Sequence, residues 1–191
     1  MTPSLDRSST DDRIIHAALE LIAQDGLGAA TMVRVAETAG IARQTLYNHY
    51  PDIDRIVTEA IRRHNQESIQ LLEASLRVVD DPTDKLEQLV RHVIAIGAHA
   101  QHSHGIEHGL SADARATLND YRDALDRCIR EVLDEGQRFG VFRRDLTPEV
   151  DALLIRPMLY GLTERSAETP EMAASLATTG TRTILASVTA S

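Results

Sequence analysis

Apolar residues recur at three- and four-residue intervals along nearly the whole of this 191-residue chain, and the breaks between runs fall at Gly, Pro and Asp. Such a pattern commits the backbone to amphipathic helices. Ile14, Ile15, Ala18, Leu19 and Ile22 form one run, and Ile56, Val57, Ile61, Ile69, Leu72 and Leu76 form a longer one opening near Pro51 and Asp52. Asp80-Asp81-Pro82 stops that run, and a new one restarts at Thr83 through Leu86, Leu89, Val90, Val93, Ile94 and Ile96. A glycine-punctuated connector, HSHGIEHGL, covers 102–110. Three further runs follow, at 111–139, at 148–166 behind Thr147-Pro148, and at 170–188. No period-2 alternation suggests a strand. With no Trp, two Phe and four Tyr, the chain must fill its cores with Leu, Ile, Val and Ala, as helix packing allows. The expected fold is all-α, with about nine helices.

The stretch 31–50, TMVRVAETAGIARQTLYNHY, reads as two short helices around a glycine turn. Thr31 suits the cap of a first helix with Met32, Val33, Val35 and Ala36 on its apolar side. Gly40 supplies the sharp turn, Ile41 fills the angle, and a second helix runs from about Ala42 to Tyr50. Leu46 and the Tyr50 ring would face inward. Arg43, Gln44, Thr45, Tyr47, Asn48 and His49 would face outward, a side with donors, one arginine and no carboxylate. That chemistry suits a groove walled by phosphates. A surface helix pair with no partner is the plainer alternative.

The pieces around this turn resemble the DNA-binding domain of TetR-family (tetracycline-repressor-type) transcriptional regulators. They are RIIHAALELIAQDGLGAATMVRVAETAG at 13–40 and IARQTLYNHYPDIDRIV at 41–57. The order matches: a first helix ending in a Gly loop, a Thr-capped second helix, an Ala-Gly turn, and a helix with Leu46-Tyr47 and a terminal aromatic. The resemblance implies a helix-turn-helix three-helix domain at 1–55, with 1–10 a polar flexible arm, and a helical effector-binding and dimerisation domain at 56–191. It implies a homodimer, joined by the last two long helices, that binds a palindromic double-stranded DNA operator and is released by a small-molecule effector. DNA contact would run through Thr31, Arg34, Arg43, Gln44, Thr45, Tyr47, Asn48, His49 and Tyr50. Arg43 would take a base edge, and Thr31 and Arg34 would hold the backbone. Two positions depart from the family pattern. Ala42 stands where a hydroxyl residue opens the recognition helix, and Ile53 stands where a phosphate-binding Lys follows the terminal aromatic. Arg55, Arg34 and Arg7 are candidate substitutes.

Charge sets a limit on affinity. The chain carries a net −9, and residues 1–55 hold five cations (Arg7, Arg13, Arg34, Arg43, Arg55) against eight carboxylates. Only Gly26–Pro51 is positive, with Arg34 and Arg43 against Glu37. A reader with so few phosphate partners has weak non-specific binding and a shallow salt dependence.

In the C-terminal region the effector would enter among helices 83–101, 111–139 and 148–166, with His99, His102, Tyr121, Arg156 and Tyr160 as candidate ligand residues. Arg156 lies within an otherwise apolar helix, so it needs either an anionic effector, a carboxylate or a path to water. Pro157 beside it removes a backbone donor. His99, His102, His104 and His108, with Glu107 among them, could form a zinc or nickel set, which makes a metal-sensing helical dimer one alternative. A helical dimer that has lost DNA binding and acts through protein partners is another. No cofactor is expected. Cys128 is the only cysteine, which excludes an internal disulfide and fits a reducing cytoplasm; it reads as an apolar filler or a redox sensor. No apolar run is long enough for a membrane helix, and no signal peptide is visible. Catalysis is disfavoured: there is no G-x-S-x-G elbow, glycine-rich phosphate loop or H-E-x-x-H.

Overall fold

The computed structural model of the chain describes residues 9–99 and 110–189, with side chains for all of these but 96–99 and 167. Eight α-helices occur among the described residues: α1 Thr10–Asp25, α2 Met32–Thr38, α3 Arg43–His49, α4 Ile53–Arg77, α5 Pro82–His99, α6 Ala112–Arg138, α7 Pro148–Glu168 and α8 Ala173–Val188. Short 3-10 turns at Leu27–Ala29 and Pro170–Met172 precede α2 and α8. No strand occurs among the described residues; Phe142 and Thr189 pair as an isolated antiparallel bridge. The fold is all-α, as the periodicity requires.

The helices begin where short polar side chains stand ready to accept from orphan backbone N–H groups. Ser9 Oγ accepts from Asp12 N–H at 3.1 Å while the Asp12 carboxylate accepts from Ser9 N–H at 3.0 Å, a reciprocal box that opens α1. Asp52 is itself the cap of α4, accepting from Arg55 N–H at 2.9 Å, so that helix starts at Ile53 and not at Pro51. Asp81 does the same for α5, accepting from Thr83 and Asp84, with Pro82 as the first helical residue. Ser111 accepts from Ala114 N–H at the head of α6. At α7 the order is inverted: Thr147 makes no side-chain cap, and its N–H donates to the Asp151 carboxylate at 2.6 Å.

By contacts the chain divides into two compact units. One gathers the described residues of Met1–Asn65 and His102–Asn119, the other those of Gln66–Gln101 and Asp120–Ser191. In the first, Ile14, Ile15, Ala17, Ala18 and Leu21 of α1 pack with Val35, Ala36, Leu46, Ile56 and Ala60. Val33, expected on this apolar side, is 38% exposed instead, because the seven-residue α2 presents only Val35 and Ala36 fully to α1. A smaller cluster in the same unit sets Ala30 and Val57 against Leu110 and Ala114.

In the second unit Leu72, Leu86, Leu89, Val90, Val93 and Ile94 meet Leu125, Ile129, Val132 and Leu133 of α6, and Ile155, Leu159, Ile184 and Val188 complete the core. Phe142 is fully buried there, and a Cβ on Gly136 would overlap its ring, so glycine is what admits it. Cys128 is buried in this core, and burial pushes its thiol up to about 11, which suits the filler reading and suppresses the reactive thiolate. Helix α7 runs unbroken through Pro157.

Candidate nucleic-acid interface

Helices α2 and α3 meet at the glycine turn. Thr31 Oγ1 accepts from Arg34 N–H at 3.3 Å and so caps α2. Gly40 takes φ +63°, and a Cβ there would approach the Arg13 guanidinium to 3.2 Å, so this turn demands glycine. Arg13 Nη2 donates to the carbonyls of Ala39 and Gly40 at 2.5 and 3.0 Å. An α1 cation thus satisfies the end of α2. Ile41 N–H donates to Ala36 C=O at 3.0 Å, and the Ile41 side chain is half-buried against the head core.

Helix α3 opens on Ala42 with no side-chain cap, the consequence of the missing hydroxyl. Leu46 is fully buried and anchors the helix. Arg43, Gln44, Tyr47 and Asn48 are exposed together, with Tyr47 at 52%. Gln44 Nε2 donates to Asn48 Oδ1 at 3.2 Å, pre-setting two amides on adjacent turns. Thr45 is half-buried, on the flank of that side. His49 is exposed, its Nδ1 4.0 Å from Asp11 Oδ1. Tyr50 is half-buried, and its hydroxyl donates to Asp11 Oδ1 at 2.6 Å.

Three of the candidate DNA-binding cations stand beside carboxylates. Arg34 pairs with Asp25 at 2.6 Å, Arg43 lies 3.7 Å from Glu37, and Arg55 lies 3.8 Å from Asp113. All six side chains are 45% exposed or more. Exposed pairs of this kind contribute ~0–1 kcal/mol, so a phosphate or base edge displaces them at little cost. The acidic neighbours still lower the net field, in line with the charge count. Arg7 lies outside the described residues.

Sequence reasoning did not find the partners behind α3. Arg63 of α4 donates to Glu59, Asp12 and Asp11, and Asp11 in turn receives the Tyr50 hydroxyl. The hydrogen bonds from Arg62 and Arg63 hold the Glu59 carboxyl at about 2 despite its partial burial. The Glu59 pairs are local, but the contacts of Arg63 and Tyr50 with Asp11 and Asp12 join residues far apart in the chain, which no local pattern discloses.

Of the candidate effector residues, Tyr121, Arg156 and Tyr160 are half-buried in the second unit. Arg156 Nε lies 3.2 Å from Asp126 Oδ1, both atoms being buried, yet the two are not aligned as a hydrogen bond. Coulomb attraction therefore holds this pair. Burial raises the Asp126 carboxyl above its usual range and Arg156 only partly offsets it. Burial pushes the Tyr160 hydroxyl up to about 12, with Tyr121 adding to the effect and Arg122 and Arg156 opposing it. Tyr121 is also raised by burial, with the Ser68 side chain opposing. Buried Ser68 places its Oγ 3.3 Å from His92 Nε2, and burial lowers the His92 imidazole. Ser68 and His92 interrupt the apolar runs of α4 and α5, a polar residue on an apolar stripe, and that signal was available in the sequence.

His99 ends α5, with no described side chain; His102, His104 and His108 lie outside the described residues, as does Glu107. Among the described residues no group of His, Cys, Asp or Glu is arranged to hold a metal ion. No helix among them is long and apolar enough to cross a membrane.

Two short helices joined at a positive-φ glycine, the second anchored by buried Leu46, give this all-α chain the layout of a helix-turn-helix protein. Two family models match it, "Bacterial regulatory proteins, tetR family" over residues 14–60 and "Tetracyclin repressor-like, C-terminal domain" over 79–164, together more than half of the chain; it belongs to the TetR family. An uncharacterized HTH-type transcriptional regulator of Mycobacterium bovis is 30% identical over 96 residues, 50% of this chain and 47% of that protein, so the chain spans about half the length of that relative. The HTH-type transcriptional repressor KstR2 of Mycolicibacterium smegmatis is 27% identical over 164 residues, covering 81% of this chain and 78% of that one. A structure described as a transcriptional regulator from Saccharomonospora viridis in complex with choline superposes with TM-score 0.86 at 22% identity, over 97% of this chain and all of that one.

Proposed function

We propose that the chain is a homodimeric, ligand-responsive repressor of the bacterial cytoplasm that reads a palindromic operator through α3. The observation that carries this reading is the exposed row of Arg43, Gln44, Tyr47 and Asn48 on a helix anchored by buried Leu46. Arg43 would take a guanine edge, where a bidentate pair gives ~1–3 kcal/mol of discrimination. Gln44 and Asn48 would read amide-sized patterns beside it, and Tyr47 and His49 would reach phosphate or a thymine methyl. Thr31, Thr45 and Arg34 would hold the backbone. The repressor relative supports the direction of control, and the uncapped α3 accords with modest affinity per half-site.

A dimer is supported by the apolar face of α7. Val150, Leu153, Leu154 and Met158 are 53%, 54%, 62% and 39% exposed, at helical spacing, while Ala152, Ile155 and Leu159 occupy the core. Covering the roughly half of each side chain still exposed contributes about 1 kcal/mol apiece. Helix α8 also exposes small residues, Ala174, Ser175, Thr178, Thr179 and Ala186, which admit close helix contact. The effector site we propose lies in the second unit around Tyr121, Arg156 and Tyr160, extended by Asp126, Ser68 and His92: a few polar groups converging in an apolar bundle. An effector acts by binding one arrangement of the two heads better than the other, and coupling of ~1–3 kcal/mol is typical.

Fluorescence anisotropy on operator and scrambled duplexes separates the assigned roles. Arg43→Ala is expected to lose affinity for the operator roughly ten- to a hundred-fold while leaving the scrambled duplex nearly unchanged. Arg34→Ala should weaken both alike and flatten the salt dependence. The reverse pattern would overturn the assignment.

A further inference from the structure

Helix α3 has seven residues and no side-chain cap, so it has little stability of its own. Its direction must be set by tertiary contacts. Leu46 supplies one, in the middle of the helix. The other contact stands at the C-terminal end, where Tyr50 ends the helix with its N–H on Leu46 C=O at 2.9 Å and its hydroxyl on Asp11 Oδ1 at 2.6 Å. The same Asp11 oxygen is 4.0 Å from His49 Nδ1. The second Asp11 oxygen accepts from Arg63 Nη2. Arg63 Nη1 donates to Asp12 at 2.8 Å and its Nε donates to Glu59 at 2.6 Å, so all three guanidinium nitrogens are engaged. The Arg63 and Asp11 side chains are 28% and 31% exposed, a partly desolvated setting in which charge-assisted hydrogen bonds are strong and directional.

We infer that Asp11 and Arg63 are positioning residues for operator discrimination: they fix the end of the reader helix through the Tyr50 hydroxyl without any part in base contact. The inference rests on α3 being the reader. One carboxylate bridges a cation of α4 and the last turn of α3, while Asp12 beside it is held by the Ser9 box and by Arg63. The start of α1 is thereby a polar hub to which α3 and α4 are both fastened. An ion-pair network elsewhere on the head would add stability alone. This one ends on the turn that carries His49 and Tyr50, so loosening it tilts Arg43, Gln44 and Asn48 relative to the bases. Tyr50 then belongs with the supports of the interface, and its ring and hydroxyl face the domain.

The test uses the full chain, an operator duplex obtained by selection from random DNA, and a scrambled duplex, with circular dichroism to report the folded fraction at the assay temperature. Asp11→Asn and Arg63→Ala are each expected to reduce the operator-to-scrambled affinity ratio roughly ten-fold, the effect of removing one hydrogen bond to a charged group. Affinity for the scrambled duplex should stay within about two-fold, since phosphate contacts tolerate tilt. Arg63→Lys should recover part of the ratio. Tyr50→Phe, which keeps the packed ring, should lower the ratio in the same direction, and Asp11→Asn with Tyr50→Phe should cost no more than Asp11→Asn alone. An unchanged ratio in folded Tyr50→Phe and Arg63→Ala proteins, or losses that add fully, would overturn the inference while leaving the reader intact. If the unsubstituted chain enriches no duplex, the reader assignment fails and this inference fails with it.

Discussion

His92 is where a single residue shows the conflict between a bundle core and a polar site. It sits among Leu89, Val90, Val93 and Ile94, all buried, with Ser68 as its polar neighbour at 3.3 Å. Burial lowers its pKa, so the folded protein keeps the imidazole neutral where an unfolded chain would protonate it. Below the ordinary histidine value near 6.5 the unfolded state therefore binds more protons, and stability falls as pH drops through that value. Thermal melts between pH 7.5 and 5 should show a smaller acid-side loss for His92→Gln than for the unsubstituted chain. Equal losses would mean that His92 is not held neutral by the fold. Asp126 presents the opposite case, a carboxyl pushed toward its neutral form with only an unaligned Arg156 opposing. Both residues lie within the proposed effector site. Ser68, His92 and Arg156 were each legible as a polar residue in an apolar run, but which residue pairs with which was not, because the partners lie many residues apart in the chain.

At the scale of the element, caps and periodicity disclosed most of the helices. Asp81-Pro82 opens α5 one residue before the expected Thr83, and Pro148 opens α7 as the pattern places it, although Thr147, read as its cap, makes no side-chain cap. Local rules also located the glycine turn, because a positive φ at Gly40 has few other solutions. They erred at Val33, since a helix of two turns has too narrow a buried stripe for its pattern to resolve, and at the start of α4, where Asp52 serves as cap and not as a first-turn residue. Ala42 is the element-level weakness that the sequence did mark. Ala42→Ser supplies a hydroxyl able to accept from the Thr45 N–H, and such a cap contributes ~0.5–2 kcal/mol. We expect a higher melting temperature and tighter operator binding, both measurable on one preparation. Tighter binding without a change in melting would instead mean that the hydroxyl acts on phosphate.

For the whole molecule, the limit of sequence reading was α7. Its apolar residues surround the helix, so periodicity placed Val150, Leu153, Leu154 and Met158 on the helix without telling buried positions from exposed ones. Only the packed chain separates the two, putting Ile155 and Leu159 inside and those four residues outside. The exposed row of α3, by contrast, was legible as a set of donors, while the Arg63–Asp11–Tyr50 network was not, because residues from three separate stretches of the chain build it together. A single head with few free cations is a poor operator reader; two heads on a two-fold axis address half-sites about one helical turn apart, ~34–36 Å. The most direct measurement is therefore selection of bound duplexes from random DNA at one fixed, moderate salt concentration, run in parallel with Leu154→Asp, whose buried charge should split the dimer. The expected result is an inverted repeat enriched by the unsubstituted chain and lost by a folded, monomeric Leu154→Asp protein. No enrichment by the unsubstituted chain, or the same repeat recovered by the monomer, would contradict a dimeric operator reader.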